Sequence, residues 1–244
     1  MKQNTQSGNA IVIILIAIAL FAALGVAFSN TSRTSSSFLS DEEAKAYANQ
    51  IIAYGNDVKS AVKRLQLRGC SDTEISFENN IESGYENPNA PTNKSCHVFD
   101  IAGGGFNWIS IPTNILESDH DTYNAYGQSF IANTIQVVGS GTSCSTGDCT
   151  ELVFQVPHIK PEICAQTNAS TVNNKTNAFN ESVTNHLYQN NRKFIGVYDF
   201  QNISSTSTIG DDFFPPNTKN GCIFRGGGVA IGHPYTYFQV LIAR

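Results

Sequence analysis

Residues 10–28 read AIVIILIAIALFAALGVAF, a stretch with no charge and no strongly polar side chain. As a helix rising about 1.5 Å per residue it spans roughly 30 Å, the hydrocarbon thickness of a bilayer. Such a segment is stable in lipid or in a bundle of equally apolar helices, and in few other places. Lys2 and the amino terminus lie before it, and all six cysteines, Cys70, Cys96, Cys144, Cys149, Cys164 and Cys222, lie after it. Cytoplasmic thiols stay reduced, so an even number of cysteines beyond the run orients the chain with its N-terminus cytoplasmic and its remainder in an oxidising compartment. Gly25 and Ala27 have the spacing of a signal-peptidase site, so a cleaved secretory signal is the competing reading. The length of the run, and Lys2 as the single basic residue ahead of it, favour a retained anchor. No cysteine adjoins the end of the run, which removes the attachment point for a bacterial lipid anchor.

The rest of the chain is built for water but sparingly charged. Charged residues make up 14% of the sequence and the net charge is −5 without a basic block, so no footprint for nucleic acid is present. Asn, Ser, Thr and Gly supply the polarity instead, a composition suited to an exposed or secreted surface. Six cysteines allow fifteen pairings. Sequential pairing, Cys70–Cys96, Cys144–Cys149 and Cys164–Cys222, closes one very short loop and two longer ones and is the expected set. Metal ligation by these cysteines is the weaker reading, because no CxxC knuckle is present.

Residues 29–39 begin with SNTSRTSSS, a polar low-complexity tether. Ser40 followed by Glu43 is a capping-box pattern, and Asp41, Glu42 and Glu43 complement the positive end of a helix dipole. Ala44, Tyr47, Ala48, Ile51, Ile52, Val58, Ala61, Val62 and Leu65 then recur at helical spacing until Gly69. This predicts an amphipathic helix over 40–69. Beyond it, short β-prone runs alternate with Gly, Pro and Asn, predicting strands at 96–101, 107–111, 134–138, 152–156, 194–198, 221–224 and 235–242. Helical pieces are expected at 159–166, opened by Pro161, and at 183–189, and residues 169–182 read as a polar surface excursion. The expected fold is α+β: a hydrophobic N-terminal helix, then an amphipathic helix packed on a mainly antiparallel, β-rich, disulfide-stapled head over 70–244.

The opening, MKQNTQSG followed by NAIVIILIAIALFAALGVAF, resembles a type IV pilin or type II secretion pseudopilin, in the manner of an atypical, uncharacterised group. The resemblance covers roughly the first 70 residues. It implies a leader over 1–8 ending at Gly8, removed by a prepilin peptidase so that Asn9 becomes the first mature residue. It further implies a helix over 9–28 held in the bacterial inner membrane or in a filament core. Ile13 occupies the fifth mature position, where the family usually carries a Glu that registers neighbouring subunits. The partners implied are the inner membrane, other pilin-like subunits in a homo-oligomer or filament, and the peptidase. The head would lie in the periplasm or on a cell-surface filament.

Chemistry-bearing residues point to no reaction and no cofactor. Gly103–Gly105 and Gly226–Gly228 lack both a GxGxxG context and a Walker lysine, and read as turns. Glu117, Asp119, His120, Asp121 and Asn124 form an acidic loop; Asp119, Asp121 and Asn124 are the calcium candidate, with a solvated loop as the default. His97, His120, His158, His186 and His233 do not pair at ligand spacing, and no GxSxG elbow is present. Asn30, Asn93, Asn168, Asn174, Asn180 and Asn202 fit N-x-S/T. Phe106, Trp108, Tyr123, Tyr126, Phe213, Phe214, Tyr235 and Tyr237 read mainly as core, or else as a recognition face. The chain is thus expected to be a non-enzymatic, pilin-like structural subunit or surface-displayed interaction protein. A single-pass binding module that does not polymerise and a membrane-tethered hydrolase are the alternatives.

Overall fold

The computed structural model describes residues 39–122, 125–137, 139–141, 150–172, 179–181, 193–198, 207–209, 218–225 and 235–244. The apolar run, its leader at Gly8 and Asn9, the tether, the helix expected at 183–189, Cys144 and Cys149 lie outside these residues. Residues Ser40–Arg244 form one compact unit.

Helix α1, Asp41–Leu67, begins where its local signals place it. The Ser40 hydroxyl accepts from Glu43 N at 3.3 Å, and the Glu43 carboxylate accepts from Ser40 N at 3.1 Å. The Ser40 hydroxyl also donates to Glu43 Oε2 at 2.8 Å, and this bond first and the Ser40 N bond second hold the Glu43 carboxyl below its ordinary range. At the other end Cys70 N reaches Leu65 O and Gly69 N reaches Gln66 O, a Schellman closure around a left-handed Gly69. The buried stripe runs Ala44, Ala48, Ile51, Tyr54, Gly55, Val58, Ala61, Val62 and Leu65. Tyr54 and Gly55 belong to it, whereas Tyr47 and Ile52 are only half-buried.

The described strands are β1 (Phe130–Val137), β2 (Glu151–Ile159), β3 (Phe179–Glu181), β4 (Ser207–Ile209), β5 (Asn220–Arg225) and β6 (Tyr235–Ile242), and a second helix, α2, spans Pro161–Thr171. They form one sheet in the order β3-β5-β6-β2-β1-β4. The four central strands pair antiparallel, and the three-residue edge strands β3 and β4 pair parallel. Every residue of β2 is buried, so both faces of the sheet are covered. On one face Tyr54 of α1 meets the Phe154 ring edge-on at 5.5 Å, and α2 is tied to β5 by the disulfide Cys164–Cys222. On the other, Val137, Val153, Ile209, Ile223, Phe238 and Val240 form an apolar cluster against which Val172 packs. A second disulfide, Cys70–Cys96, closes the segment after α1. Both bonds are among those that sequential pairing gives.

Gly55 sets how closely α1 approaches the sheet. A Cβ there would lie 2.6 Å from Tyr237 Oη, and Tyr237 is fully buried with its hydroxyl donated to Gln239 Oε1. Alanine would improve helix propensity by about 1 kcal/mol, while overpacking a filled core costs about 1–3 kcal/mol. Gly55→Ala is therefore expected to destabilise by about 1 kcal/mol in urea unfolding. Combined with Tyr237→Phe, which removes the nearest atom, it should cost less than the sum of the two single changes.

Three of the expected strands do not form. Residues 96–101 are turns with one isolated bridge, Ser76 to His97. There Asp100 Oδ1 accepts from Ala102 N and Asp100 O from Gly105 N, folding Gly103 and Gly104 against the carbonyls of His97 and Val98, where no Cβ fits. Residues 107–111 spend their backbone groups on α1: the Tyr54 hydroxyl donates to Asn107 O and accepts from Ile109 N. Residues 194–198 join no strand and turn at a left-handed Gly196, while Phe194 N donates to Ile131 O. The head is accordingly less β-rich than expected, because the described residues between 71 and 129 contain that bridge, a second from Leu116, and two 3-10 turns but no strand. The helix expected at 159–166 starts at Pro161, since Ile159 still belongs to β2.

Candidate functional site

The end of β2 departs from regular strand geometry. Val156 pairs with Tyr237 and Ile159 with Tyr235, so the β2 side carries an extra residue at Pro157–His158 and bulges. His158 takes up the bulge with φ +61°, a left-handed conformation that a non-glycine side chain adopts at a cost. Its side chain is turned inward and is only 1% exposed.

A segment crossing the end of β2 holds this geometry. Leu116 bridges Ile159, Glu117 N donates to His158 O at 2.8 Å, and Lys160 N donates to Ile115 O at 2.9 Å. The 3-10 turn Ser118–His120 follows at once and swings His120 back over the bulge. The two imidazoles meet with His158 Nδ1 3.2 Å from His120 Nδ1, rings 5.2 Å apart and nearly perpendicular. The Tyr126 ring lies 6.0 Å from His158, preceded by Ala125 at φ +73°. Two of the three left-handed non-glycine residues among those described thus flank one corner.

The corner is acidic. Burial pushes the Glu117 carboxyl up, and the charges of Glu162 and Asp119 push it further, against Lys160. Tyr235 is raised by burial and then by Glu117 and Glu162; Tyr126 is raised by desolvation, Asp121 and Glu117. Burial lowers the His120 imidazole, opposed by Asp119, which favours its neutral form. With nitrogens 3.2 Å apart, one imidazole donates an Nδ1 proton to the other's lone pair; the pair can exchange that proton or ligate a cation.

Asp119 and Asp121 sit on the exposed turn beside the histidines, with Ser118 Oγ donating to Asp119 Oδ1 at 3.0 Å, and Asn124 lies outside the described residues. Among the described residues no three His, Cys, Asp or Glu side chains gather where a metal ion would sit. The histidines, unpaired by spacing, do pair in space across 38 positions. Pro157 inside a β-prone run, a residue that removes a ladder donor, was the one local signal of the bulge. His97 belongs elsewhere, buried with Glu78 Oε2 3.8 Å from its Nδ1. Of the aromatic residues, Trp108 and Tyr237 are core, and Phe106 packs on Tyr54. Tyr123, Phe213, Phe214, His186, His233 and Gly226–Gly228 lie outside the described residues. Asn168, which fits a glycosylation sequon, is wholly buried.

Among the described residues no helix is long and apolar enough to cross a membrane; the run at 10–28 is not among them. No family model, curated protein or solved structure matches the chain.

Proposed function

We propose that the chain is a pilin-like structural subunit: a surface-displayed interaction protein held by its N-terminal helix in the inner membrane or a filament core. The observation that carries this reading is the placement of α1. It is capped at Ser40, directly after the tether that follows the apolar run, and it lays a continuous buried stripe on an antiparallel sheet. Anchor, tether, amphipathic helix and disulfide-closed head then follow in the order a displayed subunit needs. Small residues in the run, Ala17, Ala19, Ala22, Ala23 and Gly25, allow helices to approach closely in lipid. The work of such a protein is assembly and contact, with no turnover. Leu67 and Ile101, 80% and 96% exposed, support a contact surface at the far end of α1, beside the Gly103 and Gly104 carbonyls that accept from Arg68 and Arg64.

The test is the mature N-terminus of protein recovered from sheared cell-surface material. The expected chain begins at Asn9, and Gly8→Arg should retain residues 1–8 and abolish recovery in that fraction. Unchanged processing in Gly8→Arg, or a freely diffusing chain that begins near residue 28, would sink the proposal. Electron microscopy of the same material separates a polymer from an anchored monomeric binding module. The strained acidic corner favours the module as the second reading, and membrane-retained protein without fibres would select it.

A further inference from the structure

We propose that His120 and His158 form a binding site for a divalent transition-metal ion of the zinc, copper or nickel class. Metal–imidazole bonds of about 2.0–2.1 Å at a tetrahedral angle place two ligand nitrogens about 3.3 Å apart. The two Nδ1 atoms are 3.2 Å apart without any ion. An ion there requires the imidazole that donates to move its proton from Nδ1 to Nε2 and both rings to turn so that the two Nδ1 lone pairs face the ion; no net proton leaves.

The fold supplies the preorganisation that such a site requires. His158 is fixed by the left-handed bulge and by the Glu117 N to His158 O bond, and His120 by the short turn that begins one residue later. The charge distribution points the same way independently. Glu162 and Asp119 place like charge near the Glu117 carboxyl, with Lys160 as the opposing charge, and Asp121 does the same at Tyr126. A dication in this corner relieves that repulsion. Imidazole donors select a borderline ion over calcium or magnesium, which prefer all-oxygen shells. Two protein nitrogens leave positions for water, so the site is of the open kind.

The experiment titrates the full-length protein in detergent with Zn²⁺ by calorimetry and records electron paramagnetic resonance with Cu²⁺. The expected result is one ion per chain and hyperfine splitting from two equivalent nitrogens. His120→Gln, on a half-buried turn, should weaken binding roughly tenfold or more with unchanged circular dichroism. His158→Gln risks the bulge itself and is the secondary variant. His97→Gln should bind as the parent does. Equal affinity of His120→Gln and the parent, a loss in His97→Gln as large as that in His120→Gln, or a copper spectrum without nitrogen splitting would overturn the assignment and leave the imidazoles sharing a proton only. The outcome is independent of whether the chain polymerises.

Discussion

Replacing Cys164 and Cys222 together by alanine is expected to cost the head about 4 kcal/mol. The two residues are 58 positions apart, and cross-linking a loop of that length removes chain entropy from the unfolded state worth about 4.2 kcal/mol at 25 °C. Cys70–Cys96, with a separation of 26, gives about 3.5 kcal/mol on the same reasoning. Position decides how the two losses differ. Cys164 and Cys222 are fully buried between α2 and β5, so their removal also opens space in the core, whereas Cys70 is half-buried at the end of α1. The double alanine variant at 164 and 222 should melt roughly 8–16 °C below the parent. Under mild thiol, mass mapping should find Cys70–Cys96 reduced first, because thiolate reaches Cys164–Cys222 only when the head opens. A melting change under 2 °C would mean that the helix-to-strand contact is held by packing alone.

How much of this was legible in advance follows the range of the forces involved. Helix α1 could be read almost to the residue, because Ser40, Glu43 and Gly69 act within one turn and the apolar period repeats over its whole length. The β-prone run at 235–242 predicts strand β6 at its observed bounds. β2 and β5 were placed but cut short, β2 because Pro157 hides the continuation through a bulge. The failures at 96–101 and 107–111 share a cause. Val98, Trp108 and Ile111 have the composition of strand residues because they are buried, yet burial there comes from a loop folded on α1, with Asp100 and Tyr54 taking the backbone bonds a ladder would use. β-Propensity measures fit to a half-buried surface, and such surfaces also exist outside sheets. The edge strands β3 and β4, three residues each, are too short for any period to show. The histidine pair was invisible for a different reason: its two members are brought together only by the bulge at the end of β2 and the turn that crosses it.

Asn168→Ala should be comparably damaging, although it removes no covalent bond. Asn168 lies in α2 with no exposed surface, and its amide faces the β5 backbone: Nδ2 donates to Cys222 O at 3.0 Å and Oδ1 accepts from Cys222 N at 2.8 Å. Cys222 lies one residue ahead of the β3–β5 pairing, which begins at Ile223. The side chain therefore takes the place of a neighbouring strand for that peptide. Alanine leaves a buried donor and a buried acceptor without partners, at about 1–3 kcal/mol each, so the total is about 2–6 kcal/mol. Asn168→Asp separates this account from a simple loss of packing. Ionised, the new carboxylate can accept from Cys222 N but presses a charge against Cys222 O; protonated, it can donate to that carbonyl again. Its folded pKa must then lie above the unfolded value of about 3.9, so the penalty is greatest near neutral pH and fades as pH falls towards the unfolded value. Denaturant unfolding of parent and variant at pH 7 and pH 4 should show the gap narrowing at the lower pH. A gap independent of pH would mean that residue 168 contributes shape alone, and that the peptide at Cys222 is satisfied some other way.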